Sequence, residues 1–325
     1  MPHSILVLRS IENVGLEVAL EEILEVLDWT SLVPPGGRVV VKANLNSPYE
    51  DHLWRGANTS VEMIVAVCKA LKRRTSDIIV GDSDGTRFKS EEVVALMGLR
   101  SVLEPIGVEI VNFSNLPARP VNLPLLEDFE LPEIILDADV FITLPVLKTH
   151  GLTTFSGALK NQWGAIPRYD RMLLHKNIHT LLGQLNAVLK TRLGIMDAIT
   201  AMEGRGPCNG NPRKLNLVLG SRDIVALDAT AMRLVGLDPT TAKHICLAHE
   251  QRLGTMEADE IEIDGDFATH NTQFAPAPCE WPTMMMNYLS RYPWFLHHVI
   301  LNDGIFKPVR KLVHVMRKWH LTGGY

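Results

Sequence analysis

The sequence predicts an α/β fold with a mainly parallel sheet and helices on both of its faces. Short apolar runs with strand character alternate along the chain with segments of helical periodicity, a pattern typical of parallel sheets. The chain contains neither an internal repeat nor a low-complexity segment. We predict strands at residues 4–8, 38–43, 77–82, 108–112, 139–144, 192–197 and 214–220.

The helices between these strands are predicted from apolar spacing and from capping residues. Apolar residues recur with a helical period after residue 15. Thr59 or Ser60 can cap a helix with Glu62 in its first turn, and Asp223 can begin another. Helices are therefore predicted at about residues 15–28, 59–74, 177–190, 223–234 and 240–252, with a further helix beginning at Ser90.

The last part of the chain differs in composition from the rest. We predict an α/β domain over residues 1–265, as one unit or two sub-domains, and a C-terminal extension over 266–325. A helix over 309–319 would carry Val309, Leu312, Val313 and Met316 on one face and cations opposite, in a segment with Lys307, Arg310, Lys311, Arg317 and Lys318. Such a helix could dock on the domain or on a second subunit of a homo-oligomer. It could instead lie on an anionic membrane surface or an acidic partner.

Overall composition excludes several classes of protein. The 325 residues are 46% hydrophobic and 21% charged, and the net charge of −5 argues against a nucleic-acid-binding protein. We find no apolar run long enough to span a membrane and no signal-peptide pattern at the N-terminus, so we expect a cytoplasmic protein. The four cysteines lie far apart, without the close spacing of iron–sulfur or zinc sites.

The richest chemical signal lies between residues 143 and 164. An apolar strand ends at Pro145, and Lys148 and His150 follow in what we predict to be a loop, before a short helical segment that carries Lys160 and Asn161. Lysine and histidine are costly to bury unless a counter-charge or an anionic ligand meets them. This segment is therefore our first candidate for a functional site.

Other predicted strands also end in polar residues. In a parallel sheet the carboxyl ends of the strands lie along one edge, so these residues can converge there: Lys42, Asn44, Asp82, Asp84, Asp197 and Glu203. Lys42 could simply pair with Asp82 or Asp84, and residues 82–85 are also good turn formers. The carboxylates Asp82, Asp84, Asp197 and Glu203 are candidates for a divalent metal site.

Nucleotide-binding motifs are absent. Residues 203–210, EGRGPCNG, do not match the dinucleotide fingerprint, because the glycine spacing differs and a strand follows, and the phosphate-loop motif of ATP-binding proteins is missing as well. The sequence therefore gives no support for NAD or ATP as a cofactor. Asp228, on a predicted apolar helix, is a candidate buried carboxylate that could orient a lysine.

Five ordered motifs resemble those of domain-of-unknown-function family 362. LPVLKTH at 144–150 and GALKN at 157–161 are similar to the family's LPKLKTH…TGALKN signature. VVVKANL at 39–45, VGDS at 80–83, MDAITAMEGRGP at 196–207 and DIVALDATAMRLVG at 223–236 match the remaining landmarks in order. The resemblance covers about residues 38–240. It implies that Lys42, Asn44, Asp82, Lys148, His150, Lys160, Asn161, Asp197, Glu203 and Asp228 are recurrent polar positions.

The resemblance implies little about activity. Many members carry a fused ferredoxin-type cysteine cluster, which this chain lacks, so the iron–sulfur assignment of those members does not transfer. The chain also departs from the family pattern at Ala43, where proline is usual, and at Cys208, where the family varies.

We consider three functional hypotheses. In the first, an epimerase, isomerase or lyase acts on a small carboxylate or phosphate, with or without the assistance of a metal. Here Lys148, His150, Asp82 and Asp197 form the catalytic group, and Lys42, Asn44, Lys160, Asn161 and Glu203 bind the substrate. In the second, the chain is a metal- or redox-cofactor protein that works with an electron-transfer partner. In the third, it is a non-catalytic binding protein.

Overall fold

A computed structural model describes residues 4–86, 88–278 and 281–318. Its strands are β1 (Ser4–Ser10), β2 (Val39–Lys42), β3 (Ile78–Asp82), β4 (Glu109–Asn112), β5 (Ala118–Leu123), β6 (Leu126–Pro132), β7 (Val140–Thr143), β8 (Val146–His150), β9 (Thr154–Ser156), β10 (Leu193–Glu203), β11 (Asn211–Ser221) and β12 (Ile261–Asp264). Its longer helices are α1 (Leu16–Val26), α4 (Val61–Leu71), α5 (Ser90–Leu96), α6 (Leu99–Leu103), α9 (Ile178–Leu189), α10 (Ile224–Leu234), α11 (Lys243–Glu250), α13 (Trp281–Leu289) and α15 (Asp303–Lys318). Shorter helices are α2 (Trp29–Leu32), α3 (Glu50–Leu53), α7 (Glu133–Leu136), α8 (Ala158–Asn161), α12 (Phe267–His270) and α14 (Pro293–Phe295).

The strands form one large, mainly parallel sheet and a separate hairpin. The main order is β12-β1-β11-β10-β7-β2-β3-β4, with β8 beside β10 and β9 beside β8, while β5 and β6 pair only with each other. Neighbours from β10 through β7, β2 and β3 to β4 run parallel. Only β11, against β1 and β10, and β9, against β8, run antiparallel to their neighbours in the large sheet.

Helices cover both faces of this sheet, because its central strands are apolar on both sides. In β2, Val39 and Val41 pack with helices α1, α4, α5 and α6 on one face. Val40, which points the other way, packs with α9, and the same face continues over α10 and α11 near β1 and β10. This confirms the predicted α/β architecture. Ser60 caps α4 and Asp223 caps α10, as their sequence positions predict.

Two local predictions were wrong. Lys148 and His150 lie on strand β8 and not in a loop, because β10 extends past the end of β7 and its free edge pairs with residues 146–148. Asp197 lies inside β10, because that strand continues through a bulge to Glu203. The proline-rich stretch after β4 forms the β5–β6 hairpin.

The C-terminal segment is helical and partly docked. Leu296 and Ile300, in the helical turn between α14 and α15, are buried, and Tyr169 makes an edge contact with His297. Helix α15 covers most of the predicted 309–319 helix, whereas Trp319, like Cys279, lies outside the described residues. No helix in the described parts of the chain is both long and apolar enough to cross a bilayer. The division at residue 265 stays a prediction.

Candidate active site

A polar cavity of about 220 Å³ lies at the carboxyl ends of β2 and β3, beside β8 and α8. Six of the residues singled out in the sequence line it together: Lys42, Asn44, Asp82, His150, Lys160 and Asn161. They come from four separate segments of the chain, so the convergence expected at one edge of a parallel sheet does occur here. Among the described residues of the lining, Asp82 is the one carboxylate, and Lys42, Lys160 and Arg171 are the lysines and the arginine.

Lys42 and Asp82 form a buried ion pair across the neighbouring strands β2 and β3. The Lys42 Nζ lies 2.9 Å from Asp82 Oδ2, and both side chains are almost inaccessible to solvent. The same ammonium donates to the carbonyl oxygen of Ala43 at 2.5 Å and to Asn161 Oδ1 at 3.3 Å. Burial lowers the pKa of Lys42, and the charge of Asp82 acts in the opposite direction. The pairing that the sequence left open is therefore present.

The Asp82 carboxylate is also held by the backbone. It accepts the N–H of Leu45 at 2.8 Å and the N–H of Ser83 at 2.7 Å. Gly164 packs directly on the pair, since a Cβ at this position would lie 2.2 Å from Asp82 Oδ1 and 2.6 Å from the Lys42 Cε. Only glycine fits this contact without moving the ion pair.

Lys160 contrasts with Lys42, because no carboxylate pairs with it. Its Nζ lies 5.7 Å from the ring centroid of Trp163, and we find no hydrogen bond to its ammonium within the described residues. Burial, followed by the positive charges of Arg171, Lys148 and Lys42, lowers the pKa of Lys160 to about 7. A lysine with this pKa can both accept and donate a proton near neutral pH.

His150 is held as a neutral imidazole. Its Nδ1 accepts the backbone N–H of Leu152 at 3.0 Å and that of Thr153 at 3.3 Å. Burial, with a further contribution from the charge of Lys160, places the pKa of His150 well below its usual value. Because Nδ1 is an acceptor, the proton of the neutral ring sits on Nε2, which is free to donate a hydrogen bond.

Two ionisable residues of the described cavity lining were missed in the sequence. Arg171 and His175 lie on the 3₁₀ helix Arg171–Asn177, which follows the GALKN motif and folds back over the cavity. Arg171 donates one hydrogen bond to the carbonyl oxygen of Ile166 at 3.0 Å, and burial lowers its pKa. His175 packs 5.8 Å from Trp163, and burial lowers its pKa to about 3. The run of basic residues after the motif was the available signal.

Lys148 does not line this cavity. Its Nζ donates to the carbonyl oxygen of Ala57 at 2.7 Å, and the side chain is fully buried. Burial lowers the pKa of Lys148 to about 8, while nearby Cys208 and Asp82 raise it. Its positive charge is close enough to the cavity to lower the pKa of Lys160.

Three predicted carboxylates lie elsewhere and are used by the backbone or by an arginine. Asp197 accepts the N–H and the hydroxyl of Ser60 and borders a different cavity, of about 510 Å³. Glu203 pairs with Arg213 at 2.8 Å. Asp84 pairs with Lys89 at 2.7 Å and accepts the N–H of Ser90. Burial raises the pKa of Asp197; for Asp84 burial opposes, but the hydrogen bonds prevail and lower the pKa.

Asp228 contacts the backbone and no lysine side chain among the described residues. Its fully buried carboxylate accepts the N–H of Ala158 at 2.6 Å and that of Leu159 at 2.9 Å, at the start of the short helix that carries Lys160. Burial raises the pKa of Asp228 to about 7. The carboxylate accepts N–H groups in the first turn of α8 that have no partner within that helix. This pairing explains why an acidic residue is tolerated on the apolar helix α10.

The predicted metal ligands do not converge. Across residues 4–86, 88–278 and 281–318, no group of three or more His, Cys, Asp and Glu side chains is placed to hold a metal ion. Asp82 lies in the cavity, Asp84 beside α5, Asp197 beside α4 and Glu203 at the end of β10.

The fold and cavity define an α/β protein with a buried, cationic strand-end site. The chain belongs to the family described as Domain of unknown function (DUF362), whose profile matches residues 39–233. It is 30% identical over 263 residues to Thylakoid-associated protein sll1697 of Synechocystis sp., an alignment that covers 77% of this chain and 79% of the relative.

Similarity to solved structures is weaker. The lactate racemase apoprotein of Thermoanaerobacterium thermosaccharolyticum aligns over 72% of this chain with a TM-score of 0.45 and 14% identity. A Thermotoga maritima protein aligns over 73% with a TM-score of 0.37 and 16% identity. The chain spans 57% and 59% of those two proteins, respectively. At these values the matches carry no argument about activity.

Proposed function

We propose that the protein is an enzyme that binds a small carboxylate or phosphate and moves a proton next to the anionic group. The observation that carries this proposal is the cavity lining, in which Lys42, Lys160 and Arg171 meet a single carboxylate. Lys42 is buried and the other two cations are half-buried, and cations held away from water are costly without a counter-charge. An anionic ligand would supply it.

Arg171 and Lys42 are the proposed anion anchors. A guanidinium offers two parallel donors that match a carboxylate or a phosphate, and Arg171 uses one nitrogen on Ile166. Lys42 is fixed by Asp82 and Asn161, so its position changes little when a ligand enters. Asn161 and Asn44 add neutral polar groups to the lining.

Lys160 and His150 are the proposed proton-transfer groups. With a pKa of about 7, Lys160 is present in both protonation states at neutral pH, which suits a general base. His150 presents an Nε2–H that can donate to the oxygen of a developing enolate. Lys160 thus takes the proton-transfer role that the sequence-based assignment gave to Lys148, and Lys148 is given no direct role in the cavity. Epimerisation, isomerisation and lyase reactions next to a carboxylate all need such a base.

The test is exchange of the substrate proton with solvent. Wild-type protein in D₂O is mixed with 2-hydroxy carboxylates, 2-amino carboxylates and phosphate monoesters, and loss of the C–H signal is followed by NMR. We expect Lys160→Met to lower the exchange rate by at least about a hundredfold, and Lys176→Met, an exposed neighbour, to leave it unchanged. Equal exchange in Lys160→Met and wild type would refute the role of Lys160.

The two rival hypotheses predict different results with the same sample. A metal- or redox-cofactor protein would contain bound metal or show visible absorbance after aerobic or anaerobic purification. A non-catalytic binding protein would be stabilised thermally by one of the anions without any proton exchange.

We also propose that the protein works on the cytoplasmic side of a membrane surface. The name of the Synechocystis relative, a thylakoid-associated protein, supports this location. The C-terminal extension is the part of the chain that would make the contact.

A further inference from the structure

We infer that residues 281–318 form a docking surface for anionic lipid headgroups, with α15 lying in the plane of the membrane interface. This inference rests on the proposed location at a membrane and names the surface and the lipid class involved. It is independent of the chemistry in the cavity. It rests on three features of the segment: exposed apolar side chains, a one-sided positive charge, and a buried anchor to the α/β body.

Several large apolar side chains of the segment are exposed to solvent. Trp294 is 67% exposed, and Met285, Tyr288 and Tyr292, which precede it in the chain, are each about half exposed. In α15, Leu312 is 60% exposed, and Ile305 and Val315 are also open to solvent. Large aromatic side chains with one polar end are the residues that settle at the boundary between headgroups and acyl chains.

The apolar residues of α15 share one face. With 3.6 residues per turn, Ile305, Val309, Leu312 and Met316 fall along a single stripe, and Val313 and Val315 border it. Lys307 and Lys311 fall on the opposite side of the same wheel. An amphipathic helix with a basic polar face and little overall hydrophobicity is the type that binds membranes from the surface.

The charge of the segment is opposite to that of the whole chain. Residues 281–325 contain six Lys and Arg and a single Asp, whereas the chain carries a net charge of −5. Each Lys or Arg held near an anionic bilayer contributes roughly 1 kcal/mol of attraction. This asymmetry favours anionic headgroups over a second copy of the chain, whose matching face would be equally basic.

A buried anchor fixes the segment to the α/β body. Leu296, Ile300 and Ser290 are almost fully buried, and His297 contacts Tyr169 with a ring separation of 6.4 Å. Leu301, directly after this turn, lines a cavity of about 310 Å³ together with Tyr169 and Phe88. Phe88 also lines the lysine cavity, so the docking surface begins next to the candidate active site.

The experiment is co-sedimentation of the full chain with two kinds of vesicle. One contains phosphatidylcholine alone, and the other contains phosphatidylcholine with roughly one third phosphatidylglycerol. We expect binding to the anionic vesicles and little to the neutral ones. Leu312→Glu and Lys311→Glu should each weaken binding by about tenfold or more. Val18→Glu, at an exposed apolar position on α1, should bind like wild type.

Two outcomes would overturn the inference. The first is equal sedimentation with and without anionic vesicles. The second is a wild-type dimer that Leu312→Glu converts to a monomer without affecting vesicle binding, because the face would then be a subunit interface. Lys160→Met should bind vesicles normally, so a failure here and a failure of the proton-exchange test are distinguishable.

Discussion

The buried carboxylates of this protein and the cavity residue Lys160 differ in the partners that the fold gives them. Asp84, Asp197 and Asp228 each accept a backbone N–H near the start of a helix, from Ser90, Ser60, and Ala158 with Leu159, respectively. Lys160, in contrast, meets an aromatic ring and other cations. Helix N-termini supply ready donors for carboxylates but nothing for ammonium groups. The fold therefore accounts for the buried carboxylates, whereas the half-buried Lys160 suits the anionic ligand that we propose.

The largest effect is expected from replacing the Asp228 carboxylate, which accepts two backbone N–H groups. Asp228→Asn keeps the size of the side chain but turns an NH₂ group towards one of the two helix donors. We expect a loss of about 2–3 kcal/mol in the free energy of unfolding, measured by urea denaturation. Asp266→Asn provides the control, because Asp266 caps the short helix α12 in an exposed position, where the loss should be about 1 kcal/mol or less. Equal losses would contradict the structural role of Asp228.

The next effect concerns the pH dependence of stability at Lys160. The folded-state pKa of about 7 lies below the ordinary lysine pKa of 10.5, so the unfolded chain binds more protons between these two values. Stability should therefore rise with pH across this range. The wild type should gain about 2 kcal/mol between pH 7 and pH 9 from this group. Lys160→Met should lose that gain.

Denaturation at several pH values checks this prediction. Lys176→Met serves as the matched control, because Lys176 is exposed on the neighbouring 3₁₀ helix and its removal should leave the wild-type profile unchanged. A Lys160→Met profile as steep as that of the wild type would mean that Lys160 keeps its proton in the folded state, and the lysine would then be an anion anchor and not a base.

The sequence predicted the sheet and its strand ends better than it predicted their contacts. Lys42 and Asp82 end adjacent parallel strands, so their meeting follows from topology alone. The positions of Lys148 and His150 were harder to predict, because β8 pairs with the part of β10 that extends beyond the end of β7. The two side chains, two residues apart, share a face of the strand; His150 reaches the cavity and Lys148 stops at Ala57.

Arg171 could not be found from periodicity or from strand ends. It lies on a 3₁₀ helix after an irregular stretch, and its position depends on how that stretch folds back over β3 and α8. The contacts of two predicted carboxylates could not be found from the sequence either. Asp197 and Glu203 resemble site residues in the sequence, but the hydrogen bond to Ser60 and the ion pair with Arg213 depend on tertiary neighbours that no local pattern reveals.

The smallest effect is expected from a substitution of Gly164, which tests the Lys42–Asp82 pair directly. In Gly164→Ala the added methyl would overlap Asp82 Oδ1 and the Lys42 side chain, so the pair must shift. We expect a loss of about 1–2 kcal/mol in stability together with weaker anion binding, measured by calorimetry with the best ligand from the exchange panel. Because Lys42 is a proposed anchor and Lys160 a proposed base, Gly164→Ala should raise the dissociation constant more than it lowers the exchange rate at saturating ligand. The reverse split would place Lys42 among the groups that move the proton.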